Sequence, residues 1–142
     1  MLELKEFSKK ICLGTAQFSN KPYSVKNKSK ILSTKGVGNI IKCAKTKKIF
    51  FLDCSENYTG SIEKISKIKN LKKFKIIFKI SSPKKISSSN YELFQILNLQ
   101  KILKKLKIKR FYAIMLHDCR NLSISDINKI KNLFKIIKKK KI

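Results

Sequence analysis

Short, largely apolar runs alternate along this chain with longer stretches in which apolar residues recur at helical spacing. The runs Ile11–Leu13, Ile49–Leu52, Phe74–Ile80 and Phe111–Leu116 are of strand length and read as buried strands. Between them lie amphipathic segments. Lys30 to Lys48 places Ile31, Ile40, Ile41 and Ala44 on one helical face, although Gly36 and Gly38 each weaken that helix by about 1 kcal/mol. A short helix is predicted over Ser61–Ile68. The Ser81-Ser82-Pro83 break then leads to a helix over Tyr91–Leu106, with Leu93, Ile96, Leu97, Leu103 and Leu106 as its stripe. Ser125 is the predicted cap of a last helix carrying Ile127, Ile130, Phe134 and Ile137, which runs into the lysine-rich tail ending at Ile142.

The resulting order, β-α four times over, predicts parallel strands in sequence order at about residues 10–14, 49–53, 75–80 and 111–116, with helices on the outer face. Four such units make either half of an eight-unit barrel or a small open sheet. No Gly-x-Gly-x-x-Gly follows the first strand, which lowers the nucleotide-binding open-sheet option.

Composition adds a few constraints. The 142 residues are enough for one domain with a real core, and the chain is read as a single domain over 1–142. The formal net charge is +27, and Arg110 and Arg120 are its only arginines. Nucleic-acid sites draw heavily on Arg for bidentate contacts and stacking. The lysines are spread along the sequence, and Lys, Ile and Asn share A/T-rich codons. Compositional drift is therefore the favoured reading, with weak, sequence-independent attraction to polyanions and no specific nucleic-acid site expected; a basic nucleic-acid-associated α/β module is the alternative. No apolar run reaches membrane-spanning length, and Met1-Leu-Glu-Leu-Lys5 lacks a signal-peptide core. Cys12, Cys43, Cys54 and Cys119 form no Cys-x-x-Cys pair. A reducing cytoplasm and no membrane partner are expected.

Four residues with chemistry fall at or just after predicted strand ends: Asp53, Tyr58, Lys79 and His117. In parallel α/β folds active sites collect at those ends. Singly, each has a structural reading: a turn-capping Asp, a loop aromatic, one lysine of many, a core histidine. Jointly, an acid, a phenol, an amine and an imidazole on successive strand ends point to proton transfer. A metal site from Asp53, Cys54, His117 and Cys119 matches no ligand spacing, and none is expected.

These residues also carry a family likeness. Leu13-Gly-Thr-Ala-Gln-Phe18 with Tyr23-Ser-Val25 resembles the opening of aldo-keto reductases. Phe51-Leu-Asp-Cys-Ser-Glu-Asn-Tyr58 with Gly60-Ser-Ile-Glu63 resembles their second-strand motif. Lys79 after Ile76-Ile-Phe78 resembles the third-strand lysine, and Met115-Leu-His-Asp118 the fourth-strand histidine. Cys54-Ser55 stands where the family usually has Thr-Ala, Thr59 intervenes before Gly60, and Ser19 and Ser24 stand where Gly is usual. The resemblance implies a (β/α)8 TIM-barrel type fold of which only the first four units are present, and NADPH-dependent reduction of an aldehyde or ketone. It implies Tyr58 as general acid, Lys79 lowering the tyrosine's pKa, Asp53 pairing with Lys79, and His117 orienting the carbonyl. Gly14, Thr15 and Ala16, with Asp53, would line the nicotinamide end of the cofactor. An eight-unit barrel takes about 250 residues, so a truncated chain is expected, one that self-associates or joins a C-terminal half-barrel. An inactive remnant is the further alternative.

Overall fold

The computed structural model describes residues 8, 10–21, 31–69, 71–86 and 90–142. Tyr23, Ser24, Val25 and the predicted helix start at Lys30 lie outside the described residues. Four parallel strands lie side by side in sequence order: β1 (Cys12–Gly14), β2 (Phe51–Ser55), β3 (Lys75–Ile80) and β4 (Ala113–Leu116). Each is followed by a helix: α1 (Thr34–Thr46), α2 (Ser61–Ser66), α3 (Tyr91–Leu106) and α4 (Ile124–Lys140).

Successive side chains of a strand point to opposite faces. One face, with Leu52, Cys54, Ile76, Phe78 and Ile80, is buried with Val37, Ile41, Ile65, Leu99 and Leu133 of the helices in a single core. The opposite face carries Cys12, Phe51, Asp53, Lys75, Ile77, Lys79 and Met115, all partly or fully exposed. The register Gly14–Asp53–Ile77–Ala113 forms one row across that open face, and Ser55–Lys79–Met115 forms the next.

Several boundaries differ from the pattern in the sequence. β2 runs on to Ser55, so Asp53 is mid-strand and Ser55 shares its face. α1 starts at Thr34, where the Ser33 hydroxyl accepts from the Gly36 amide at 3.1 Å, leaving Ile31 exposed ahead of the helix. Gly38 fits the close approach of α1 to α2's exit, since a Cβ there would stand 3.4 Å from Ile68 Cδ1. The α3 stripe is rotated: Leu93 and Leu97 are exposed, while Tyr91, Gln95, Ile96, Leu99, Ile102, Leu103 and Leu106 are buried. Polar anchors set that rotation, because the Tyr91 hydroxyl donates to Ser81 O at 2.9 Å and Gln95 Nε2 to Glu56 Oε1 at 3.2 Å. The cap of α4 is Ser123, not Ser125. Its hydroxyl accepts from the Asp126 amide while the Asp126 carboxylate accepts from the Ser123 amide, a reciprocal capping box. Ile127 consequently turns toward solvent and Leu133 takes a core position.

Candidate active site

The parity of β2 and β3 brings the acid and the amine together. Asp53 and Lys79 lie on the same face of adjacent strands, one row apart. The lysine reaches back across that row, and its Nζ donates to Asp53 Oδ2 at 2.8 Å. After Ser55 the chain turns sharply, with the Tyr58 amide donating to Ser55 O and the Ser61 amide to Tyr58 O. Gly60 closes the turn at φ +80°, a left-handed conformation in which a side chain would also collide with Asn20. This turn folds the Tyr58 ring back over the sheet end, where only 5% of it is exposed. Lys79 Nζ lies 5.4 Å from the centre of that ring.

His117 enters from β4. Its amide donates to Ile80 O at 2.8 Å, which continues the strand pairing by one residue. Its ring meets Tyr58 edge-on, with centroids 5.7 Å apart and planes at 76°. Its Nδ1 lies 2.9 Å from the Ser55 hydroxyl. Asp53, Tyr58, Lys79 and His117 thus converge at one end of the open face.

The charges there are coupled. Burial pushes the Lys79 ammonium toward discharge, but its hydrogen bond to Asp53 and its interaction with the neighbouring Tyr58 outweigh that and hold its pKa above the usual lysine range. His117 is held below the ordinary imidazole value by partial burial and by the positive charges of Lys79 and Lys85, against weaker pulls from Asp53 and Asp118. Cys54 points to the opposite, buried face, where desolvation raises its thiol to about 12. Among the described residues no group of three His, Cys, Asp or Glu could hold a metal ion.

The loop after β1 is tied down from both sides. The Thr15 amide and hydroxyl both donate to Asp53 O, at 3.0 and 2.8 Å, and Thr15 O accepts from the Ser61 hydroxyl at 3.1 Å. Thr15 is fully buried, so it acts on the site through the Asp53 backbone. Ala16 is half-buried at the start of a 3₁₀ turn. Among the described residues nothing lies within 4 Å of where a Cβ on Gly14 would stand. Ser19 turns its hydroxyl to Thr59 O at 3.0 Å and so links the two loops.

Two features escaped the sequence reading. Ser55 is one; strand parity reveals it once β2 is known to extend past Asp53. The other is a polar knot behind the site, in which Glu56 accepts from the Ser81 amide, Gln95 and Asn98. It pins the exit of β3, and therefore Lys79, to the loop carrying Tyr58. Gln95 sits among the hydrophobic residues of α3, so nothing in the local pattern marked it as buried.

No protein-family model and no curated protein matches the chain. Solved structures do. A Pseudomonas aeruginosa protein, PA4992, provisionally named an aldo-keto reductase, superposes with a TM-score of 0.69 at 18% identity, covering 90% of this chain and 50% of that one. The thermostable aldo-keto reductase Tm1743, solved with the inhibitor epalrestat, superposes with a TM-score of 0.62 at 15% identity, covering 89% of this chain and 44% of that one. The fold is that of half an aldo-keto reductase barrel. The chain spans about half the length of the solved structures it matches.

Proposed function

We propose that the cluster is the proton-donating part of an aldo-keto-reductase-type active site, acting on small aldehydes or ketones with NADPH. The observation that supports this most is the Lys79–Asp53 pair at 2.8 Å set against Tyr58 and His117. Tyr58 is the general acid and donates its phenolic proton to the carbonyl oxygen. A phenol titrates near pH 10 and is a poor donor at neutrality. An ammonium beside it stabilises the phenolate left behind, which eases the transfer. Asp53 keeps Lys79 charged and aimed. The Ser55 hydroxyl has two acceptors in reach, Lys79 O at 3.1 Å and His117 Nδ1 at 2.9 Å. Donation to Nδ1 leaves the proton of the neutral ring on Nε2, free to hydrogen-bond the carbonyl oxygen.

The residues fit the nicotinamide end of the cofactor in two respects. Among the described residues, Asp53 Oδ1 is a buried acceptor with no donor and the space over Gly14 is open. Asp53, Gly14 and Ala16 would hold that end, with Thr15 bracing them through Asp53. When bound, NADPH supplies the hydride. The open face of the sheet takes a complementary half-barrel, either a C-terminal one or a second copy of this chain.

The test is an NADPH-oxidation assay with an aldehyde, on the barrel completed by a complementary four-unit half. Tyr58→Phe is expected to abolish turnover while leaving NADPH binding nearly intact. Near-parental turnover in that variant rules out Tyr58 as the proton donor.

A further inference from the structure

The charges of this chain are sorted by the fold. Every described acid lies from the middle of a strand to just past its C-terminal end or in the first turn of a helix: Asp53, Glu56 and Asp118 in the first group, Glu63, Glu92 and Asp126 in the second. Lysines crowd the other end. Lys45 lies in the last turn of α1, Lys104 and Lys105 in that of α3, Lys138–Lys140 in that of α4, and Lys72 and Lys73 in the turn that enters β3.

That other end is concave. A cleft of about 800 Å³ lies there, away from the Asp53–His117 cluster. It opens between the segments entering β3 and β4, lined by Lys72, Lys75, Lys107, Lys109 and Arg110 around Tyr112. A second cleft of about 510 Å³ shares Lys72 and Lys107 with it and adds Lys67, Lys69 and Lys73. A third, of about 450 Å³, shares Arg110 and Tyr112 and adds Lys138 and Lys141. Ten cations and no acid line this continuous path. Tyr112 is 57% exposed within it, steadied by the Phe51 ring at 5.2 Å and by Lys75 Nζ at 5.1 Å from its centre.

We propose that this end of the sheet is a binding groove for single-stranded nucleic acid, engaged without regard to sequence. A row of cations that follows a phosphate backbone, with an exposed aromatic ring on which a base can stack, is the pattern single strands bind. Two arginines in the whole chain are too few for base-edge readout. A bilayer surface would instead need protruding apolar side chains among the cations. The other exposed large apolar residues, such as Leu93, Leu97, Met115 and Ile124, line none of the three clefts. Lysines dispersed in sequence thus gather in space, because successive helix-to-strand loops return to the same end.

Any polyanion is drawn to a chain of charge +27, so the test compares positions, not charge. Binding of a fluorescein-labelled 20-nucleotide oligouridine to the full chain is followed by anisotropy across a salt series. One variant replaces Lys72, Lys107, Lys109 and Arg110 with Gln; a control replaces Lys35, Lys42, Lys129 and Lys131. The groove variant is expected to lose at least tenfold more affinity than the control. Its salt slope should fall by about 0.7 per lost phosphate contact. Tyr112→Ala should weaken binding about fivefold or more, with Tyr112→Phe close to the parent. Circular dichroism verifies folding, and the Tyr112 pair carries the test if the fourfold variant does not fold. Equal losses in the two fourfold variants, or an unaffected Tyr112→Ala, overturn the proposal. So does a groove variant that loses binding to phosphatidylserine vesicles while keeping the oligonucleotide. None of these residues belongs to the Asp53–His117 cluster, but Tyr112 and Lys75 stand on the face that a complementary half-barrel would cover, so the binding is measured on the chain without such a half.

Discussion

Replacing Asp53 with Asn tests whether the Lys79 ion pair is a structural fact with energetic weight. The pair is direct, at 2.8 Å, and its side chains are only 21% and 31% exposed for Lys79 and Asp53 respectively. Fully exposed pairs contribute about 0–1 kcal/mol, whereas breaking a fully buried one costs about 3–5 kcal/mol. This pair lies between the limits, so Asp53→Asn is expected to destabilise the chain by about 2 kcal/mol. For a domain of this size that corresponds to a fall in Tm of about 6 °C. The double variant with Lys79→Met isolates the interaction from the loss of each side chain, with an expected coupling of about 1–2 kcal/mol in urea unfolding. The pH dependence follows from the direction of the lysine shift. Lys79 titrates higher in the folded chain than the roughly 10.4 of a free lysine. Its contribution is therefore complete below that value and is lost only as pH rises through the folded pKa. The penalty should be the same at pH 6.5 and pH 9. A coupling within about 0.3 kcal/mol of zero, the usual additivity error, would refute the reasoning, because it would mean that the two side chains do not meet in solution.

Two further outcomes are expected. The His117 ring should titrate, by NMR, below an unstructured histidine peptide, and Lys79→Met should move it up; its neutral form then supports the fold above about pH 6.5, with that support lost as pH falls through the lowered pKa. An unchanged midpoint in Lys79→Met would remove the lysine from its surroundings. The 142-residue chain by itself should associate in sedimentation experiments and should not turn over an aldehyde with NADPH, because β1 and β4 are sheet edges and Met115 and Tyr112 stand half-exposed on the uncovered face; micromolar cofactor affinity with turnover by the isolated monomer would show that half a barrel suffices.

The strands and the convergence of the four candidate residues were legible because both depend on features a single sequence displays. Continuous apolar runs mark strands buried on a parallel sheet, and chemistry at their ends follows from topology alone. Helix rotation was less legible. Leu93 and Leu97 fit a 3.6-residue stripe as well as Leu99 and Ile102 do, and the choice between the two faces was made by Gln95 and Tyr91 bonding to residues far away in the chain. The cap of α4 was ambiguous for a related reason. Ser123 and Ser125 are both competent caps, and only Asp126 at the third helical position, bonded back to Ser123, decides between them. Ser55 was hidden by a two-residue error at one strand end, the scale on which such boundaries are least certain.

One topological fact lies behind both ends of the molecule. Parallel strands joined by helical crossovers make each helix return from the C-terminal edge of the sheet toward its N-terminal edge. The four helices therefore point the positive ends of their dipoles toward the Asp53–His117 side and their negative ends the other way. Acids in first turns, Glu63, Glu92 and Asp126, and lysines in last turns, Lys104, Lys105 and Lys138–Lys140, are each favoured by a few tenths of a kcal/mol or more by that field. A chain accumulating lysine meets least resistance at the helix C-termini, whatever drives the accumulation. At the other end the partly buried ammonium of Lys79 requires Asp53, and the ion pair leaves Tyr58 beside a fixed positive charge. The proposed proton-transfer cluster and the proposed basic groove on opposite rims of one sheet then need no separate explanations, because the direction of the strands assigns each its place.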